Sequence, residues 1–135
     1  MEKFLNMDTN PNMLSPLSLA FIGDCVYELY VREALVCEAN RPPAELNARK
    51  VALVNAKTQS NIMEIIRDLL SEEELAIYKR GRNAHTNHNP KNMTVAEYHA
   101  ATGFECLVGY LYLSGKTNRL KELFETIWER VYKGI

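Results

Sequence analysis

A chain of 135 residues, 47% apolar and 24% charged, is long enough to close one hydrophobic core and too short for two. Its formal net charge of −1 excludes a generic polycation that binds nucleic acid through bulk charge, so any RNA-binding charge has to be local. The three cysteines, Cys25, Cys37 and Cys106, follow no metal-ligand spacing and read as free, buried thiols in a reducing compartment.

Helix punctuation recurs along the chain and strand signals are nearly absent. Ser15 followed by Pro16 reads as an N-cap and first helical residue, opening a helix to about Cys37 that the Arg41-Pro42-Pro43 break ends. A second helix is expected from Pro43 or Ala44, bent or split near Thr58 to Asn61. Ser71 with Glu74 is a capping box for a short helix to about Arg80. Gly81 to Asn92 is rich in Asn, Gly, His and Pro and reads as loop. A helix from Thr94 to Leu113 follows, stopped by Gly115, and Asn118 is the expected cap of an amphipathic terminal helix. The fold class is therefore all-α and multi-helical, five or six helices in one domain over residues 1–135. Met1 to Ser15 lacks the apolar region of a signal peptide, and no run reaches the ~18 apolar residues of a membrane span, so a cytoplasmic protein with no membrane partner is expected.

Two helices each carry one carboxylate out of place. Apolar residues surround nearly the whole circumference of the segment Leu17 to Val31, which marks a central helix, yet Asp24 lies on a face with Leu17, Ala20, Phe21, Glu28 and Val31. Ala100 to Leu113 repeats the pattern with Glu105, and Gly103 and Gly109 imply that another backbone comes close to it. A buried carboxylate needs a partner or a shifted pKa. Two readings stand: each acid meets a distant arginine or helix end, or the two share a hard divalent cation such as Mg²⁺, which takes one or two protein carboxylates. Glu28 reads as a structural or dimer contact.

These residues also carry a family resemblance. Phe21-Ile22-Gly23-Asp24-Cys25-Val26-Tyr27-Glu28-Leu29 resembles the ribonuclease III signature helix, with its Leu-Gly-Asp-Ala/Ser-Val hallmark. Thr102-Gly103-Phe104-Glu105-Cys106-Leu107-Val108-Gly109-Tyr110-Leu111-Tyr112-Leu113 is similar to that family's second motif, Asp-x-x-Glu-Ala-Leu-Ile-Gly-x-x-Tyr-Leu. Between them Arg80-Gly81-Arg82-Asn83-Ala84 and Pro90-Lys91-Asn92 resemble the loop of Mini-III ribonucleases, catalytic domains that lack a separate double-stranded-RNA-binding domain. The resemblance runs from about Leu14 to the C-terminus. It implies a homodimer joined through the signature helices and Mg²⁺-dependent cleavage of double-stranded RNA. Asp24 and Glu105 would be the catalytic, metal-binding carboxylates. The implied substrate is the precursor of large-subunit (23S) ribosomal RNA, with a large-subunit ribosomal protein as a further candidate partner. Full-length ribonuclease III has carboxylates where this chain has Ala20 and Thr102; Mini-III enzymes tend to lack them too.

No acidic residue occurs from Leu75 to Ala96, where Lys79, Arg80, Arg82 and Lys91 supply four positive charges beside Asn83 and His85. That mixture suits the phosphates and 2′-hydroxyls of A-form RNA. The alternatives are a solvated loop with incidental charge, or a zinc site at His85 and His88. Lys50 and Lys57, with Arg49 and near Gln59, form a second candidate RNA-binding cluster or an ordinary solvated helix face. His99 reads as a helix residue before it reads as a general base. Two other functions stay open, a catalytically weak rRNA-binding assembly factor and a helical adaptor with no RNA role.

Overall fold

The computed structural model describes residues 3–5, 7–84 and 91–133. Among these are six α-helices and no strand: α1 (Pro16–Glu38), α2 (Pro43–Val54), α3 (Ala56–Ile66), α4 (Glu72–Arg82), α5 (Val95–Leu113) and α6 (Thr117–Ile127). The all-α reading is borne out, and most helix starts follow from local chemistry. Ser15 accepts from the Ser18 amide ahead of Pro16, and Ser71 with Glu74 and Thr94 with Glu97 both close capping boxes.

Two boundaries differ from the sequence expectation. The second helical stretch splits at Asn55, earlier than Thr58. The Asn55 side chain accepts from the Thr58 amide and donates to the Val51 and Ala52 carbonyls, so one residue terminates α2 and caps α3. Asn118 does not cap α6, which starts after Lys116 without a side-chain cap bond. Gly115, at φ 72°, reverses the chain, and the Lys116 amide returns to the Leu111 carbonyl, which leaves Asn118 already inside the helix. The loop expected from Gly81 is shorter at its start, since α4 continues to Arg82.

α5 is the central helix. Buried residues cover its whole circumference from Ala101 to Tyr112, and α1, α4, α3 and α6 pack around it, α1 most extensively. Tyr27, Phe104, Leu107, Leu111 and Ile127 are among the fully buried side chains of one continuous core. The hydroxyl of Tyr27 donates to the Leu53 carbonyl at 2.7 Å and pairs with Tyr132, which satisfies a buried polar tip and ties α1 to α2 and the C-terminal π-helical turn. Arg119 grips both oxygens of buried Glu74, at 2.8 and 2.9 Å, and so joins α6 to α4. Burial would raise the Glu74 carboxyl pKa; the hydrogen bonds from Arg119 and Ser71 outweigh it and hold the pKa low.

The expectation for α1 needs correction. Only one face is buried: Leu19, Ala20, Gly23, Val26, Tyr27, Val31 and Leu35. Leu17, Phe21, Cys25 and Leu29, spaced four apart, form an exposed apolar stripe, with Phe21 80% exposed. Asp24 is on this open side as well. The three thiols are free, but Cys25 and Cys37 are exposed and only Cys106 is buried. No helix among the described residues is long and apolar enough to cross a membrane.

Candidate active site

The α1–α5 crossing is as close as backbones allow, and two glycines account for it. A Cβ on Gly23 would fall on the carbonyl oxygen of Glu105, and a Cβ on Gly109 would fall on the carbonyl oxygen of Leu19. The relation is reciprocal: each helix offers a glycine where the other offers a carbonyl. Gly103 makes the same allowance for α4, since its Cβ would come within 2.8 Å of the Tyr78 backbone oxygen. The sequence expectation that Gly103 and Gly109 mark close backbones holds at both positions.

That crossing brings Asp24, one residue after Gly23, against Glu105. Their carboxylates lie within hydrogen-bonding reach, Asp24 on the solvent side and Glu105 half-buried beneath it. Burial, then the hydrogen bond and the charge of Asp24, push the Glu105 pKa up to about 9 from its ordinary 4.5. With no cation between them, the pair therefore holds a proton at neutral pH. Among the described residues no cluster of three or more acidic, histidine or cysteine side chains is placed to hold a metal.

One residue at this spot was expected elsewhere, beside the Lys50 and Lys57 cluster. Gln59 of α3 is buried, and its side-chain amide reaches Glu105 and favours the ionised carboxylate. Its signal was a polar residue in the stripe Ala56, Ile62, Met63 and Ile66, which is otherwise apolar. The donors gathered here are two carboxylates and an amide, all oxygen, which suits a hard divalent cation better than zinc or copper.

The model of the ribonuclease III domain matches residues 17–116, from the start of α1 to the turn after α5. The chain belongs to the ribonuclease III family. A Mini-ribonuclease 3 of Thermoanaerobacter sp. is 52% identical over 112 residues, 83% of this chain and 79% of the relative. A Mini-ribonuclease 3 of Symbiobacterium thermophilum is 40% identical over 93% of this chain and 96% of its own length. A crystal structure of a protein from Fusobacterium nucleatum superposes with a TM-score of 0.79 at 36% identity, covering 87% of this chain and 93% of that one. The protein is thus an endoribonuclease of the ribonuclease III type.

Within this ribonuclease III fold, α4 carries the first basic cluster. Its last turn contains Lys79, Arg80 and Arg82, and Gly81 lets it pack against Cys106, with the Cys106 Cβ 2.6 Å from a Cβ built at Gly81. Arg80 donates to the Leu14 carbonyl at 3.3 Å and is close enough to act electrostatically on Cys106. The Arg82 guanidinium lies over the Tyr78 ring, 5.7 Å from its centroid. Asn83 caps α4, and Lys91 is exposed. His85 and His88 lie outside the described residues. In the second cluster, Lys57 is exposed in the first turn of α3, while Lys50 points to α1 and pairs with Glu28 at 3.8 Å. His99 packs edge-on against Tyr98, ring centroids 5.8 Å apart.

Proposed function

We propose that the protein cleaves double-stranded RNA as a Mg²⁺-dependent homodimer, with Asp24 and Glu105 as the metal-binding carboxylates and precursors of large-subunit ribosomal RNA as substrate. The observation that carries this is the pair itself: two acids pressed together by a glycine-lined helix crossing, with no arginine or lysine between them among the described residues. An arrangement that only stabilised the fold would not set two acids against each other beside a core, where their ionisation is opposed.

Asp24, on the open side of α1, is the donor that substrate can approach, while Glu105 is anchored in the helix packed at the centre of the fold. Glu105 has to lose its proton before it can ligate, so cation binding and proton release are coupled. When bound, a divalent cation supplies the electrostatic activation of water and phosphate that phosphodiester hydrolysis needs. Arg80, Arg82, Asn83 and Lys91 would hold the RNA backbone, joined by Lys57 and by Lys50 if it exchanges Glu28 for a phosphate. Phosphate contacts of this kind position a duplex without reading its sequence.

The homodimer is supported by the apolar stripe of α1. Leu17, Phe21 and Leu29 are 41%, 80% and 46% exposed on a helix that also carries Asp24, and a patch of this kind marks an interface. A second copy seated there would bring two Asp24–Glu105 pairs to one duplex.

Incubating the purified protein with a long RNA duplex, in Mg²⁺ or in EDTA, tests the reading. Cleavage only in Mg²⁺, lost in Asp24→Asn and Glu105→Gln while both variants stay folded, is the expected outcome. Binding without cleavage would favour the assembly-factor reading, and turnover by either variant would remove the metal assignment.

A further inference from the structure

Gln59 occupies the first turn of α3 and is only 3% exposed. The buried face it shares with Ala56, Ile62, Met63 and Ile66 could be filled by an aliphatic side chain at the loss of a single hydrogen bond, to the Val54 carbonyl. Its amide nitrogen donates to the carbonyl of Val54, the last residue of α2, at 2.9 Å. That bond takes one of the nitrogen's two donors and leaves the other for Glu105. It also fixes the orientation of the amide, because a flipped amide would set oxygen against oxygen. The oxygen has no such explanation. Oε1 is buried and has no hydrogen-bond partner among the described residues, an arrangement that proteins seldom keep without a use. The same side chain reaches Glu105. Two neighbouring positions on the same helices add no charge: Ala20 has no side-chain oxygen, and Thr102 supplies only a neutral hydroxyl, turned back to donate to the Tyr98 carbonyl at 3.0 Å.

We infer that Gln59 is a positioning residue of the metal centre. Its amide holds the Glu105 carboxylate against Asp24, and its unpaired oxygen serves as the neutral third oxygen of a donor set that Ala20 and Thr102 leave short. The inference rests on the reading of Asp24 and Glu105 as metal ligands. It assigns to α3 a part in the site that α1 and α5 do not supply. A helix-break staple alone would need only the nitrogen.

The test is calorimetric titration of Mg²⁺ into the RNA-free protein, run in parallel on wild type, Asp24→Asn, Gln59→Met and Gln59→Glu. Methionine keeps length and removes both amide functions; glutamate keeps an oxygen at the site but cannot donate to Val54. The expected result is Mg²⁺ affinity weakened about 10–100-fold in Gln59→Met, the range for groups that support metal ligands, and restored or tightened in Gln59→Glu. A purely structural Gln59 predicts the reverse: both variants melt at lower temperature and neither changes Mg²⁺ affinity. Affinity retained in Gln59→Met but lost in Asp24→Asn would overturn this inference and leave the metal reading intact. No saturable Mg²⁺ binding in wild type would overturn both. If Gln59→Met does not fold, the wild-type side-chain amide resonances of Gln59 decide. They should move during Mg²⁺ titration with the midpoint of the calorimetric curve, and stationary resonances would refute the role.

Discussion

Replacing Glu105 by Gln should make the metal-free protein more stable at neutral pH, by an amount that grows as the pH rises. In the folded chain the Glu105 carboxyl titrates at about 9, whereas its ordinary value is 4.5. Between those limits the folded state carries one proton that the unfolded state has released. Stability therefore falls with increasing pH, by about 1.4 kcal/mol per unit for one proton. The contribution is intact below the unfolded pKa and is lost progressively up to the folded one. Burial sets it first, then Asp24, whose carboxylate faces Glu105, while the Gln59 amide opposes the shift. Solvent at the Asp24 side narrows the window without flattening the slope inside it. Over pH 6 to 8 the parent should lose about 3 kcal/mol more than Glu105→Gln, a large share of a typical 5–15 kcal/mol. Denaturant unfolding in EDTA at fixed protein concentration measures this, and groups common to both proteins cancel in the difference. Parallel pH profiles for the two would refute the protonated pair. Mg²⁺ should reverse the trend in the parent alone, because ligation releases the proton and affinity then rises with pH.

Three further outcomes are expected. Gly109→Ala should destabilise by about 3 kcal/mol or more, at or above the usual cost of overpacking, because its Cβ meets the rigid Leu19 carbonyl; a melting temperature within a degree or two of the parent would show that α1 can slide. Phe21→Asp should yield a folded monomer by sedimentation, since the side chain is 80% exposed within the chain. An unaltered dimer would place the interface elsewhere. Neutralising Arg80, Arg82 and Lys91 together should weaken RNA binding and flatten its salt dependence, by about 0.9 in log–log slope for each phosphate no longer neutralised, with duplex DNA as the guide. An unchanged slope would mean that these residues do not touch phosphate.

The parts of the fold written in short-range chemistry were legible in the sequence. Ser15-Pro16 and the capping box at Ser71 are local signals, and both are found where the sequence puts them. So is the meaning of Gly109, because a glycine inside an apolar helix has few reasons other than a neighbouring backbone. Asn55 was harder. Its side chain both ends α2 and caps α3, and an Asn with no proline or glycine beside it is a weak break signal, so the split was placed too late. Gln59 was not legible, because its significance depends on Val54 and Glu105, which meet it only once α2, α3 and α5 are assembled.

The mistaken burial of Asp24 and Cys25 has a different origin, and it bears on function. Hydrophobic patterning reports which faces of a helix avoid water, without saying whether the cover comes from the same chain or another. In α1 the pattern extends around the circumference, yet the chain's own core covers only the face running from Leu19 to Leu35. The stripe of Leu17, Phe21, Cys25 and Leu29 obeys the same four-residue spacing and finds no cover within the described residues. Under the proposed homodimer, both halves of the pattern have a cause, one in the core and one in the second copy. Asp24 then lies where three surfaces meet: the α5 contact that supplies Glu105, the stripe that would bind the partner, and the solvent from which RNA approaches. A helix that must serve all three is apolar nearly all round and carries its misplaced acid at the seam between them.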